Sequence, residues 1–490
     1  MEMMASGAPE SWSGSRIVHK VLGTVVCPLL AVRRLTWTRL RAKVSIARVE
    51  FRPPPGIQHR FLHRNRTMRS AAPKLAVLLC ALASLAWAAP PVFSGQNRIG
   101  QMTGDQWEPS VAADGAGRIY VLYPQYGRVP DCEECSVPSM LLTASDDEGK
   151  TWQTPRVMLE TGSGQFDAQI AVDPADRRTV YAAWLQNGKQ AVILAKSIDS
   201  GATWSFAVAA RSQEELDKPA LAVRGQNVLV AFNHEEEVWV AASQDGGRSF
   251  APVRVNAESR PGWSLLGSAA VDPSGNAYLG WASYSKAGGA RGSVNLYVAR
   301  SADAGKSWTP SLLDVSAAAP GCKDEECGEG YLGAQVALTT DAAGTLYALW
   351  SAGRAPLGSQ RIYFSSSTNG GESWLPRANI SNAGSGVEHA FPAIVAGNGG
   401  DVRIAWMDKR NSPYWNTYYR SSSNGGATWG DEVRISGYAA GYSYIGKQGF
   451  RFPFGDYFGL AIDRHGDTHI VWGEGMNYQS PGSIWHASGR

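Results

Sequence analysis

One octapeptide recurs six times along the chain. It reads SDDEGKTW from Ser145, SIDSGATW from Ser197, SQDGGRSF from Ser243, SADAGKSW from Ser301, STNGGESW from Ser367 and SSNGGATW from Ser422. The shared form, Ser-x-Asp/Asn-x-Gly-x-Thr/Ser-aromatic, has the chemistry of a tight β-turn. The Asp or Asn accepts backbone N–H bonds, Gly supplies positive φ, and the hydroxyls satisfy what remains. One copy would say little. Six make internal repetition the fact that any fold must accommodate.

Two further markers run in step with it. A β-rich run ending in an aromatic residue appears at Tyr123, Trp184, Phe232, Trp281, Trp350, Trp406 and Trp472, seven times at an average spacing of about 58 residues. Before these runs stand turns such as Asp114-Gly115, Asp173-Pro174, Asp272-Pro273, Asp341-Ala342, Asn398-Gly399 and Asp463-Arg464, with Arg224-Gly225 the weakest. Each unit reads as strand, turn, aromatic-ended strand, loop, strand, octapeptide turn, strand. Four strands at this period predict an all-β chain built as a β-propeller, and no segment carries a helical stripe. The seventh unit lacks its octapeptide and fourth strand. Asn97-Arg98-Ile99 resembles the fourth strands Val253-Arg254-Val255 and Val433-Arg434-Ile435, so an N-terminal strand is expected to complete the last blade. Seven blades is the expected count and six the alternative.

The segment from Met68 reads MRSAAPKLAVLLCALASLAWAAPPVF: a short basic start, an apolar run from Leu75 to Leu85, and Ala86-Trp87-Ala88 before Ala89. That is the layout of a secretory signal peptide over residues 68–88, too short to favour a membrane span. Residues 1–67 are then a misassigned or unstructured extension, and residues 89–490 a single propeller domain, secreted or periplasmic. Composition follows from this division. The whole chain has 46 Lys+Arg against 43 Asp+Glu, a formal net charge of +3. Leaving out the 12 basic and three acidic residues of 1–67, and the two basic residues of 68–88, turns that into about −8. An acidic domain with no basic stripe argues against nucleic acid and against membrane insertion after cleavage. A monomer is expected.

Four cysteines remain after residue 89, as the local pairs Cys132-x-x-Cys135 and Cys322-x4-Cys327. An exported chain favours disulfides at such spacings, with a four-thiolate zinc site the competing reading. The expectation is disulfides and no metal or cofactor.

The octapeptide is the Asp-box of BNR repeats, and residues 97–490 resemble the sialidase-like family of Asp-box propellers. The resemblance implies that the boxes sit between third and fourth strands, so that Asp147, Asp199, Asp245 and Asp303 are scaffold residues and chemistry belongs on the opposite face. Sialidase activity would require an Arg cluster to grip a carboxylate, a Tyr activated by Glu, and an Asp acid/base. The chain departs from that pattern. The family's aromatic-Arg-Ile-Pro at the first blade is here Gln106-Trp107-Glu108-Pro109, with the Pro in place and the Arg absent. Seven blades also depart from the six of sialidases.

The candidate site gathers in the last two units. Met407 to Trp415 reads MDKRNSPYW after the sixth aromatic run, and Phe450 to Tyr457 reads FRFPFGDY at the entry to the seventh. The catalytic candidates are Asp408, Arg410, Asp456, Tyr457 and Glu474. The substrate-binding candidates are Arg451, Glu388, His389, Tyr414, Trp415 and Tyr478. By the resemblance, Arg410 and Arg451 would grip an anion, Asp408 or Asp456 act as acid/base, and Tyr457 or Tyr478 pair with Glu474. The competing reading makes Asp408, Arg410 and Asp456 structural ion pairs. Asp105, Trp107, Arg128, Asp167, Arg291 and Arg354 line equivalent loops. Three functions stay open: an exo-glycosidase on sialylated or other acidic glycans, a non-catalytic glycan- or protein-binding propeller, and a lyase or hydrolase on another acidic polysaccharide. No Walker loop, dinucleotide fingerprint, zinc-protease helix or nucleophile elbow is present.

Overall fold

Each aromatic-ended run forms the second strand of a four-stranded antiparallel sheet, and there are seven such sheets. The computed structural model describes residues 91–100, 104–256, 261–320, 333–411, 414–437, 455–475 and 482–490, with backbone alone at Tyr414 and Gly475. The expected extension 1–67, the expected signal peptide 68–88, and Cys322, Cys327, Arg451 and Tyr478 lie outside these residues. Blade one opens with Ser110–Ala113, blade two with Phe166–Val172, blade three with Leu216–Arg224 and blade four with Trp263–Val271. Blades five, six and seven open with Val336–Thr340, His389–Ala396 and Gly459–Ile462. All-β architecture and the seven-blade count are as the repeats require.

The last blade is completed from the other end of the chain. Asn97–Arg98 pairs antiparallel with Gly482–Gly489, setting Asn97 opposite His486 and Arg98 opposite Trp485. Val92 N and Ser94 N add bonds to Arg490 O (3.0 Å) and Ser488 O (2.7 Å). Two chain ends thus share one sheet, which closes the ring by hydrogen bonding rather than by side-chain contact alone.

The core lies between neighbouring blades. Trp184, Trp281, Trp350, Trp406 and Trp472, which end the second strands' apolar runs, are among the largest fully buried side chains. Each octapeptide begins on the final residue of a third strand, as Ser145 ends Ser139–Ser145 and Ser422 ends Tyr414–Ser422. Inside the box at Ser197, Asp199 accepts the Thr203 N–H (2.9 Å), the Thr203 hydroxyl (2.6 Å) and the Ser197 hydroxyl (2.7 Å). The box Gly also reaches across to the preceding blade. A Cβ on Gly426 would lie 2.1 Å from the Phe364 ring, and one on Gly247 would lie 2.4 Å from Leu194. Gly is required there for space as well as for φ.

The turn Asp residues have a matching inter-strand task. The hydroxyls of Tyr120, Tyr278 and Tyr347 donate to Asp114 (2.9 Å), Asp272 (3.0 Å) and Asp341 (2.8 Å). Blade seven has His469 in place of the Tyr, beside Asp463 (3.3 Å). Cys132 and Cys135 are joined by a disulfide in the loop between second and third strands of blade one.

Candidate functional site

The first strands enter the ring at one end of a central channel, and their entry residues build its mouth. Counting back six positions from Asp114, Asp173, Arg224, Asp272, Asp341 and Asp463 gives Glu108, Asp167, Lys218, Leu266, Gln335 and Tyr457. At several of these places the ladder is interrupted. Pairing skips between Phe166 and Gln169, Asp217 and Ala220, and Ala390 and Ala393. Positive φ occurs at Glu108 (54°), Asp167 (57°), Lys218 (48°) and Phe391 (55°). A bulge re-aims one side chain out of the sheet alternation, and non-Gly residues at positive φ cost about 1–3 kcal/mol each. The chain accepts that strain at the same position in four blades.

The result is a cavity of about 230 Å³ whose polar lining includes Ser110, Gln169, Lys218, Gln335, Asp456 and Tyr457. Lys218 Nζ, from blade three, pairs with the Asp456 carboxylate at the entry to blade seven and stands 3.9 Å from Asp167 Oδ1 of blade two. Behind it, Lys189 Nζ bonds Asp217 at 3.1 Å. Glu108, from blade one, is buried beside Asp456. Asp456 Oδ1 is buried and has no hydrogen-bond partner. Gln335 Nε2 donates to the Asp456 backbone carbonyl (3.3 Å).

Burial dominates the electrostatics of this group. It pushes the Glu108 carboxyl well above the usual range, and the nearby carboxylates of Asp456 and Asp167 push further. Burial likewise raises Asp167 to about 6, against the pull of Lys218. Tyr457 is raised well above its ordinary value by burial and then by Asp167, Glu108 and Asp456, and its hydroxyl donates to Ala168 O (3.3 Å). The mouth therefore offers carboxylates, one paired lysine and, buried beside them, an acid with a raised affinity for its proton. Its phenol is held neutral.

The sequence-derived candidates separate into two groups. Asp456 and Tyr457 belong to the mouth. Asp408 and Glu474 do not join it through any contact among the described residues. Both occupy a structural position of the repeat, two residues beyond the buried Trp of the second strand. Trp406 Nε1 donates to Asp408 (3.0 Å), Trp472 Nε1 to Glu474 (2.7 Å), and Trp184 Nε1 to Gln186 (3.2 Å) in blade two. Glu474 lies in the strand Thr468–Gly475 rather than in a loop, and burial raises its carboxyl to about 8. The stretch after Trp406 is likewise strand up to Asn411 rather than loop.

Arg410 is committed within blade six. Its Nε bonds Asp408 Oδ1 (2.8 Å), its Nη1 pairs with Glu432, and its guanidinium covers the Tyr418 ring at 3.7 Å. An anion grip would have to compete with all three. His389 is fully buried, with Nδ1 near Val387 O (2.8 Å) and Gln360 O (3.0 Å) and Nε2 near Ser381 Oγ (2.8 Å); burial lowers it to about 4. Glu388 accepts the Gln360 N–H (3.1 Å) and is raised by burial to about 7. Trp415 packs into the core beside Phe391 and is no exposed stacking platform. Tyr414 is a strand residue opposite Asn411.

Sequence reasoning passed over Glu108 and Lys218. The signal that finds them is positional: an acid and a base, each followed by Pro, six residues before the turn of their unit. Among the described residues no group of three His, Cys, Asp or Glu could hold a metal ion, and no helix is long and apolar enough to cross a membrane.

The family model described as BNR repeat-like domain matches residues 69–318, just over half of the chain. No curated protein matches. Among solved structures, a protein of unknown function from Dyadobacter fermentans DSM 18053 is similar at 14% identity, over 81% of this chain and 99% of that one, with a TM-score of 0.45. A PL25 ulvan lyase is similar at 11% identity over 79% and 95%, with a TM-score of 0.47. Trypanosoma rangeli sialidase is similar at 11% identity over 81% and 59%, with a TM-score of 0.42. Likeness at this level concerns the fold alone. With the boxes in their places between third and fourth strands, the chain belongs to the BNR repeat-like domain family.

Proposed function

We propose that this is an exported, carbohydrate-directed propeller that takes a glycan at the channel mouth lined by Lys218, Asp456 and Tyr457. The observation that carries the reading is the meeting of Lys218 and Asp456, from two blades, on one cavity, with Glu108 and Asp167 of two further blades buried beside them. Carboxylates and amides suit hydroxyl groups, which donate to the former and accept from the latter. Acidic groups outnumber basic ones at this mouth, and its lysine is already paired. An uncharged glycan therefore fits better than the sialylated or other acidic glycans that the family resemblance implies.

Cleavage of the glycan is a second reading, favoured by Glu108. A carboxyl whose affinity for a proton is raised, beside a carboxylate, is the pairing of donor and acceptor that glycoside hydrolysis uses. A glycan array and a panel of fluorogenic neutral glycosides and sialosides test both readings. Binding to neutral glycans that is lost in Asp456→Asn and Lys218→Met supports the first. Turnover that is lost in Glu108→Gln, with binding kept, supports the second. Binding of sialosides alone, unaffected by these substitutions, removes the mouth from consideration.

A further inference from the structure

The seam between the last blade and the first is built differently from the others. In blade five the seam position on the second strand is Tyr347, and its third-strand neighbour is Phe364, which sits opposite Leu349. The two rings stack at 6.0 Å and 22°. The Asp-box Trp429 of blade six then meets Phe364 edge-on at 4.9 Å. Blade seven repeats this geometry with histidines. His469 replaces the Tyr and His486, opposite Val471, replaces the Phe. Their rings stack at 5.3 Å and 19°, and Trp152 of the first blade's Asp-box meets His486 edge-on at 5.0 Å. The corresponding third-strand residues of blades one, two and four are Leu142, Leu194 and Val298, all apolar.

Both imidazoles are fully buried and wired in series. His469 Nε2 lies 3.3 Å from Asp463 Oδ2, and His469 Nδ1 lies 3.0 Å from His486 Nε2. His486 Nδ1 is buried without a hydrogen-bond partner. Neutral rings satisfy this chain in one sense: His469 donates to Asp463 and His486 donates to His469, leaving a bare lone pair on His486. A proton added to that lone pair creates a cation with no acceptor, in contact with a second imidazole. Burial and then His469 hold His486 down to about 3.

The charged surroundings offer one direct counter-charge. Asp463 faces His469, and its Oδ1 is occupied by the N–H groups of His465 and Asp467. From the first blade's box, Glu148 is engaged by Arg464 (3.0 Å) and His465 (2.7 Å) at the rim. From blade six, Arg403 Nη1 donates to Thr468 Oγ1 (2.7 Å) and is paired with Asp401 through Nη2. On the outer strand His486 faces Asn97, which is uncharged. Gly149 lies so close that a Cβ there would stand 2.6 Å from His486 Cε1, so the ring cannot swing aside while the seam is closed.

We propose that the His469–His486 pair makes this seam an acid-sensitive latch: protonation frees the closing strands Asn97–Arg98 and Gly482–Gly489 before the rest of the ring opens. Blades one, two, four and five hold Tyr120, Tyr181, Tyr278 and Tyr347 at the first position, blade three holds Leu229 and blade six Arg403, and none of the six has an imidazole at either position. Opening exposes His486 to water, where it binds a proton near its ordinary value of about 6.5. The device is independent of what the channel mouth binds.

Hydrogen exchange of the full chain, corrected for the intrinsic pH dependence of exchange, is the test. Below about pH 6.5, protection of residues 93–99 and 482–490 is expected to fall about tenfold per pH unit for each proton taken up. Peptides from 228–243 in blade three should keep their protection. The double variant His469→Tyr/His486→Phe installs the blade-five pair and should abolish that slope. If it folds poorly, His486→Leu, the residue of blades one and two, should do the same alone. Equal acid response in blades three and seven, or a slope that survives these substitutions, would overturn the proposal.

Discussion

Lys218 and Asp456, which are 238 positions apart in the chain, form an ion pair across the channel mouth. One enters blade three and the other blade seven, so the contact braces the ring from within. Removing the lysine leaves Asp456 buried without its paired cation and leaves Asp167 with only Lys189 behind it. Lys218→Met should therefore cost about 3–5 kcal/mol at pH 7. The loss should shrink near pH 4, below the value of about 6 to which burial raises Asp167. Urea unfolding at the two pH values measures it.

Glu474 makes a contribution of the opposite sign. Its folded value, about 8, lies above the ordinary carboxyl range, so the folded chain keeps a proton that the unfolded chain releases. Its stabilising contribution is full below about pH 4.3 and is lost as pH rises towards 8. Glu474→Gln keeps an acceptor for Trp472, as Gln186 does for Trp184, and removes the titration. Thermal unfolding should show the variant more stable than the parent at pH 8 and close to it at pH 4.5.

The box glycines predict a steric effect rather than an electrostatic one. Gly426 has φ of 87°, and an added Cβ would meet the Phe364 ring. Gly426→Ala should destabilise by about 2–4 kcal/mol, combining left-handed strain with overpacking. The double variant with Phe364→Leu should recover the packing part and leave the strain. Denaturant midpoints of the single and double variants separate the two.

Closure by the N-terminal strand predicts a sharp boundary for truncation. Phe93 packs edge-on against Tyr419 at 4.9 Å, and Asn97 and Arg98 cover the edge of the last blade. A chain beginning at residue 91 should match the parent in thermal unfolding. One beginning at residue 101 should melt lower and associate with increasing concentration, because a bare strand edge pairs with another copy. Light scattering across a dilution series checks this.

The propeller was legible because its signals are local. An octapeptide turn, an aromatic at the end of a strand and a turn Asp each carry their meaning within a few residues, and repetition multiplies them. Even Asn97-Arg98-Ile99 could be placed, since it resembles other outer strands. The channel mouth was harder to read. Glu108, Asp167, Lys218 and Asp456 come from four separate units, and only ring geometry brings them together. Asp408 and Glu474 were drawn into the candidate site by their chemistry. Their partners, the indoles of Trp406 and Trp472 two residues earlier, show a structural role that blade two repeats with Trp184 and Gln186. Tyr457 lines the mouth, yet its burial among carboxyls opposes the ionised form that a nucleophile needs.

Joining the last blade to the first strand also sets a timetable for synthesis. Arg98 bonds Ser483, a residue 385 positions further along the chain. At usual elongation rates the first strand waits roughly 20–80 s for its partner to be made. Six blades can be assembled in that interval, while the ring's two ends remain without their shared sheet. Shielding of that unpaired edge by a chaperone would matter most during this interval, before the final residues arrive.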